Sequence, residues 1–222
     1  MTQNQAKAKA ARAALKYLVP DSVLGVGTGS TVNLLIDALA DQRHQIKAAV
    51  SSSEASTARL KAVGIPVVDL DGAGRLSVYI DGADEANPAL ELIKGGGGAL
   101  TREKIVAAAS DQFVCIADES KFVQQLGAFP LPIEVIAMAR QMIGGKLESM
   151  GAQARWRQGF VTDNGHQILD VSGLNLSDPR ATERELSLIP GVVTVGLFAQ
   201  RPADVLILGS AHGVREISAN QT

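Results

Sequence analysis

Three observations predict an α/β fold: a mostly parallel sheet covered by helices on both faces (Rossmann-like), with an inserted smaller ferredoxin-like β-α-β-β-α-β unit. Short apolar strand patterns alternate with helical patterns through the first half of the chain. Two glycine-rich turns, at 25–29 and 95–98, each lead into a helical pattern. An Asn-Gly pair at 164–165 separates two strand patterns in the second half. Alternating strands and helices imply right-handed crossovers and a sheet buried on both faces.

Residues 3–18 are rich in Ala, Lys and Gln with no breaker before Pro20, so they form a helix that stops ahead of that proline. The apolar period then gives a strand over 23–26, a helix over 31–39, a strand over 46–50, a helix over 53–63 and a strand over 66–70. Strands over 76–80 and 113–116 extend the series, with a helix from Leu100 between them. From Pro130 the rhythm changes to a strand over 131–136, a helix over 138–150 and a strand over 153–161. Asn164-Gly165, a strong hairpin pair, joins that strand to another over 167–171. Pro179 opens a helix to 188, and 191–198 is a strand. The expected division is a catalytic α/β domain of 1–129 plus about 202–222, and a ferredoxin-like α+β domain of about 130–201. Strands over 205–208 and 214–217 are candidates to rejoin the main sheet.

A composition of 46% hydrophobic, 20% charged and 4% aromatic residues over 222 positions fits an aliphatic-rich soluble domain and argues against disorder. A net charge of -2 with scattered basic residues lacks the electrostatic footprint of a nucleic-acid binder. No apolar run reaches the roughly 18 residues that cross a bilayer, and the polar stretch 1–9 lacks a signal-peptide apolar region, so no membrane association and a cytoplasmic location are expected. The single Cys115 lies in an apolar strand pattern and is expected to be inert core.

The stretch most suggestive of chemistry is Lys94-Gly95-Gly96-Gly97-Gly98-Ala99-Leu100-Thr101-Arg102-Glu103-Lys104, which sets a cation, four glycines and a carboxylate within ten residues. Glycine lets a substrate oxygen approach backbone N–H groups closely. The helix that follows adds the positive end of its dipole, a combination suited to an anionic intermediate. Glu103 also has a plain reading as a first-turn acid on that dipole. It is not the partner in a capping box from Thr101, which would need Glu or Gln where Lys104 stands.

Gly25-Val26-Gly27-Thr28-Gly29-Ser30-Thr31 joins strand to helix, a setting for phosphate. A dinucleotide fingerprint fails at its third glycine, since Ser30 or Val32 stands there, and no lysine precedes Ser30 as a Walker loop requires. What remains is a loop for one phosphate with hydroxyls from Thr28, Ser30 and Thr31; the alternative is that Ser30 or Thr31 merely caps the helix. For Ser51-Ser52-Ser53-Glu54-Ala55-Ser56, helix capping is the better explanation. Asp81-Gly82-Ala83-Asp84-Glu85 sets carboxylates at the carboxyl end of a strand, where such sheets bind ligands, although acidic turns are common on any surface. No metal-ligand spacing involves His44, His166 or His212, so no metal and no cofactor are expected.

These four blocks, in their order along the chain, resemble the signature of ribose-5-phosphate isomerase, type A. The resemblance continues through 116–121, 129–135 and 190–198, and so covers nearly the whole chain. It implies a cofactor-free isomerase interconverting ribose 5-phosphate and ribulose 5-phosphate in the non-oxidative pentose phosphate pathway. It also implies Glu103 as general base, Lys94 with the N–H groups of Gly95, Gly96 and Gly97 at the oxyanion, and Asp81, Gly82, Ala83 and Asp84 at the sugar hydroxyls. Thr28, Gly29, Ser30 and Thr31 would meet the phosphate, with Lys121 at the substrate and Lys7 a weaker phosphate partner. A homodimer or tetramer is implied, with a phosphosugar as the only other partner. Two departures are Gly98, where small residues such as alanine are common, and Ala86, in place of a larger apolar residue. The extra glycine is expected to loosen the loop. A sugar-phosphate-sensing regulatory domain and an acyl-CoA transferase-like enzyme, with a glutamate nucleophile, are the competing readings.

Overall fold

The computed structural model describes residues 2–218. They form two compact units: one holds the described residues up to Ala83, Arg102–Phe122 and those from Ala203 onward, the other Asp84–Thr101 and Val123–Pro202. In chain order, α1 (Gln3–Ala14) precedes β1 (Ser22–Val26), α2 (Ser30–Leu39), β2 (Ile46–Ser51), α3 (Glu54–Ala62), α4 (Leu70–Ala73) and β3 (Leu76–Asp81). Two short strands, β4 (Glu85–Ala86) and β5 (Leu92–Ile93), come before α5 (Leu100–Ala108) and β6 (Ser110–Asp118). Next are β7 (Leu131–Val135), α6 (Arg140–Ser149), β8 (Gln153–Trp156), β9 (Gln167–Ser172), α7 (Pro179–Ser187), β10 (Val192–Val195) and β11 (Leu197–Phe198). The antiparallel pair β12 (Val205–Ser210) and β13 (Gly213–Ser218) completes the series.

The first unit is built on a sheet of order β13-β12-β6-β3-β1-β2, parallel except at β12–β13. Alternate strand residues point to one face, so Leu24, Val26, Val78, Ile80, Val114, Ile116, Val205 and Ile207 pack with α1 and α2. The opposite face carries Tyr79, against which Val106 of α5 leaves no room for a side chain at Gly25. Helices thus cover both faces, as the apolar pattern requires. A Thr2–Gln5 capping box starts α1, whose buried face is all alanine (Ala6, Ala10, Ala11, Ala14). That small face lets α1 sit on β12, where a Cβ at Gly209 would stand 1.9 Å from the Ala6 carbonyl.

One expected strand is absent. Residues 66–70 make a single parallel bridge, Ala49 to Val67, before the chain turns into α4. Pro66 has no N–H to extend the ladder and Val68 is exposed, so burial does not hold the segment extended.

In the second unit, β7-α6-β8-β9-α7-β10 forms an antiparallel sheet of order β10-β7-β9-β8. Each β-α-β pair has another strand between its members, which is the split βαβ arrangement. Ile133, Val135, Ile143, Leu147, Leu169, Val171, Leu186 and Val195 form its core. Residues 84–101 group with this unit rather than with 1–83, because β4 and β5 pair with each other and with β11 in a separate three-stranded sheet. The strand pattern 191–198 is therefore divided at Gly196, where a Cβ would stand 2.4 Å from the Lys94 carbonyl. The pattern 153–161 stops as a strand at Trp156, and its remainder joins the loop that turns at Gly165 (φ +81°).

Candidate active site

In the first unit, Asp81 ends β3 fully buried. The N–H groups of Thr28 and Gly82 donate to its Oδ1 at 3.0 and 2.7 Å, and the Tyr79 hydroxyl donates to its Oδ2. Gly27 is glycine for a steric reason: a Cβ there would lie 1.9 Å from Asp81 Cγ. Tyr79 sits two residues before Asp81 and so shares its face of the strand. Burial, then the charges of Asp81 and Glu103, push the Tyr79 hydroxyl well above its ordinary pKa, against a smaller opposing effect of Ser52. Tyr79 therefore stays a proton donor at neutral pH, with the Glu103 carboxylate close enough to act on it. Glu103 lies in the first turn of α5 and is 3% exposed.

The 25–31 loop enters α2 through Gly29, whose φ of +117° and ψ of 177° suit glycine alone. Neither Ser30 nor Thr31 caps the helix: the cap position is Gly29 and no side chain bonds to the first turn. The Ser30 hydroxyl instead accepts from Lys7 Nζ at 3.1 Å, so this cation stands at the helix start. Thr28 Oγ1 is turned inward, 2.8 Å from both Ser52 Oγ and Ser53 Oγ. The serine block does cap, since Ser53 Oγ accepts the Ser56 N–H at 3.1 Å, and it also fixes the loop through Ser56 Oγ to the Gly27 carbonyl at 2.7 Å. Lys121 is half-buried in a 3-10 turn after β6, whose start Asp118 caps.

In the second unit, the Asp84 N–H donates to the Ile93 carbonyl at 2.8 Å, and Asp84 Oδ2 accepts the Gly96 N–H at 2.7 Å. A Cβ at Gly96 would stand 2.5 Å from Asp84 Oδ1. Glu85 faces elsewhere, holding the N–H groups of Gly127 and Phe129. Lys94 is 2% exposed; its N–H donates to the Gly196 carbonyl at 2.9 Å, and its ammonium lies 5.5 Å from the centre of the Phe198 ring. The glycine run turns through a Gly98 N–H to Gly95 carbonyl bond of 2.9 Å, with Gly98 at φ +83°. The space of a Gly98 side chain is filled by Phe160, whose Cζ would be 2.2 Å from a Cβ, so this ring opposes the expected loosening. Arg157 donates to the Gly95 and Gly96 carbonyls, and the Thr101 hydroxyl donates to the fully buried Glu134. Thr162 and Asn164 also donate to Glu134, so the 157–166 loop and the glycine run share one network.

The structure thus brings Thr28 and Tyr79 to Asp81, with Glu103 near Tyr79, in one unit, and joins Asp84 to the glycine loop that follows Lys94 in the other. Tyr79, Arg157 and Glu134 were not read as site residues from sequence; for Tyr79 the spacing of two from Asp81 on a strand was the available clue. Among the described residues, no group of three or more His, Cys, Asp or Glu side chains is placed to hold a metal ion. Cys115 is buried in β6. No described helix is long and apolar enough to cross a membrane.

The family model described as Ribose 5-phosphate isomerase A (phosphoriboisomerase A) matches residues 48–213. The structure is similar to that of ribose 5 phosphate isomerase A from Neisseria gonorrhoeae, at 50% identity and a TM-score of 0.96, with 98% of each chain covered. It is also similar to ribose 5-phosphate isomerase A from Methanocaldococcus jannaschii, at 36% identity and a TM-score of 0.93, covering 98% of this chain and 100% of that one. A D-ribose-5-phosphate isomerase solved in complex with phospho-erythronic acid matches at 38% identity and a TM-score of 0.94, with the same coverage. With a match over most of its length and half its residues shared with one solved relative, the chain belongs to the ribose 5-phosphate isomerase A family.

Proposed function

We propose that the chain interconverts D-ribose 5-phosphate and D-ribulose 5-phosphate, moving a proton between C2 and C1 through an enediolate. The observation that carries this is the buried carboxylate of Glu103, in the first turn of a helix that directly follows a glycine loop preceded by a buried lysine. Glu103 is the base, taking the C2 proton and delivering a proton to C1. Lys94 and the N–H groups of Gly95 and Gly97 meet the oxyanion as charge develops, while the Gly96 N–H holds Asp84. A general base supplies roughly 10²- to 10⁴-fold, and one lost oxyanion donor costs roughly 10²- to 10³-fold, so both are needed.

Asp81 and Asp84, with the backbone of Gly82 and Ala83 between them, hold the sugar hydroxyls and assist ring opening and proton movement between oxygens. The Tyr79 hydroxyl and the Thr28 and Gly82 amides already fix Asp81, which supports a set carboxylate rather than a mobile surface acid. The phosphate falls to Gly29, Ser30 and Thr31 at the uncapped start of α2, with Lys7 beside them. Thr28 shapes the substrate loop through its serine contacts and its N–H bond to Asp81, and Lys121 joins the substrate site. The phospho-erythronic acid held by a relative supports this reading, because its planar carboxylate resembles an enediolate on a phosphorylated chain. The proposal includes a cytoplasmic homo-oligomer working without a cofactor or metal.

The test is conversion of ribose 5-phosphate by purified protein and by Glu103→Gln. We expect the variant to lose roughly 10²- to 10⁴-fold in kcat while remaining folded. A near-normal rate would remove Glu103 from the mechanism.

A further inference from the structure

We propose that Arg157 is a positioning residue for the reaction: it sets the direction in which the glycine loop presents its N–H groups. This rests on the reading of that loop as the oxyanion cradle. The Arg157 guanidinium is held through all three of its nitrogens. Its Nε and Nη2 grip Asp170 at 2.9 and 2.5 Å, and its Nη1 reaches the carbonyls of Gly95 and Gly96 at 3.3 and 3.1 Å. The ring of Phe160 lies 5.4 Å from the guanidinium carbon. Asp170 is fixed in turn, on β9 between β7 and β8, so the fork has a rigid base.

The consequence follows from peptide geometry. In a trans peptide the carbonyl and the following N–H point in opposite directions, and the described residues contain no cis bond. Holding the Gly95 carbonyl towards Arg157 therefore turns the Gly96 N–H away from it, and that N–H donates to Asp84 Oδ2 at 2.7 Å. Holding the Gly96 carbonyl the same way turns the Gly97 N–H away from Arg157 too. Among the described residues no protein acceptor takes that N–H. A run of four glycines has little preference of its own for this arrangement, so an external fork is needed to select it. Lysine could not replace the fork, because a single ammonium cannot grip a carboxylate with two donors while reaching two carbonyls. The residue touches no reacting atom in this account; it acts through the peptide planes of the loop.

The experiment compares wild type, Arg157→Ala, Arg157→Lys and Glu103→Gln with ribose 5-phosphate as substrate and phospho-erythronic acid as the bound probe. We expect Arg157→Ala to lower kcat by about 10²-fold, the cost of one misdirected oxyanion donor, with KM near wild type. Affinity for phospho-erythronic acid should fall with kcat, and sub-denaturing guanidinium ion should restore part of both. If Arg157→Ala does not fold, Arg157→Lys should show the same pattern of lowered kcat and preserved KM. An inactive Glu103→Gln beside an Arg157→Ala of normal kcat overturns this inference alone. So does a loss that guanidinium does not restore in the folded protein, which marks a merely structural arginine. An active Glu103→Gln removes the cradle reading underneath it.

Discussion

The two glycine loops, at 25–29 and 95–98, look alike in sequence, and each contains a glycine that makes room for an aspartate. Gly27 leaves space for Asp81, and Gly96 leaves space for Asp84. In each, a loop N–H also bonds that aspartate: Thr28 to Asp81 and Gly96 to Asp84. They differ in what holds them. The first is fastened by neutral hydroxyls, with Thr28 among Ser52, Ser53 and Ser56, and its aspartate is fully buried. The second is fastened by charges, Arg157 with Asp170 at one end and buried Glu134 at the other, and its aspartate is half-buried. A glycine run thus has no single meaning; the groups behind the loop decide which N–H groups are presented and how firmly.

Adding one methyl group to each loop should separate the two most sharply. Gly27→Ala would drive a Cβ into the Cγ of a fully buried strand-end aspartate that has no room to move. We expect a stability loss of about 3 kcal/mol, at the upper end of ordinary overpacking, and loss of nearly all activity. Gly96→Ala meets only the carboxylate tip of Asp84, which can swing away, so thermal unfolding should change little while activity falls. Equal destabilisation of the two variants would erase the distinction drawn between the aspartates.

A smaller effect is expected at Gly98. Gly98→Ala places a side chain at φ +83° and against the Phe160 ring, and should cost about 1–2 kcal/mol in chemical denaturation. Since the contact is with the far end of Phe160, Gly98→Ala combined with Phe160→Val should recover the packing part of that loss and leave the backbone part. A double variant no more stable than Gly98→Ala would show that Phe160 does not fill the glycine's space. This pair also explains how the chain carries four glycines in a row: the ring on the 157–166 loop replaces the missing side chain.

Much of this was legible beforehand because the main sheet is regular. Strands β1, β2, β3, β6 and β12 are buried on both faces and announce themselves as apolar runs, and the Asn164-Gly165 pair marks the β8–β9 connection. The two-residue strands β4, β5 and β11 are too short for any period, so residues 84–101 were not expected to form a sheet with 197–198. Pro66–Leu70 has strand-like composition, but its exposure leaves a single bridge. At the site, Asp81, Asp84, Lys94 and Glu103 stood out as charges beside glycines or at a strand end. Arg157 did not, because nothing within a surface-like Trp-Arg-Gln-Gly stretch reveals which carbonyls, some sixty residues earlier in sequence, the guanidinium will meet.

In the proposed mechanism Glu103 carries a proton between C2 and C1 of the sugar phosphate. Running the isomerisation in heavy water and following deuterium at both carbons tests it most directly. Wild type should introduce solvent deuterium at the reacting carbons as the sugars interconvert, and Glu103→Gln almost none. Interconversion or deuterium incorporation by Glu103→Gln at the wild-type rate would contradict that mechanism.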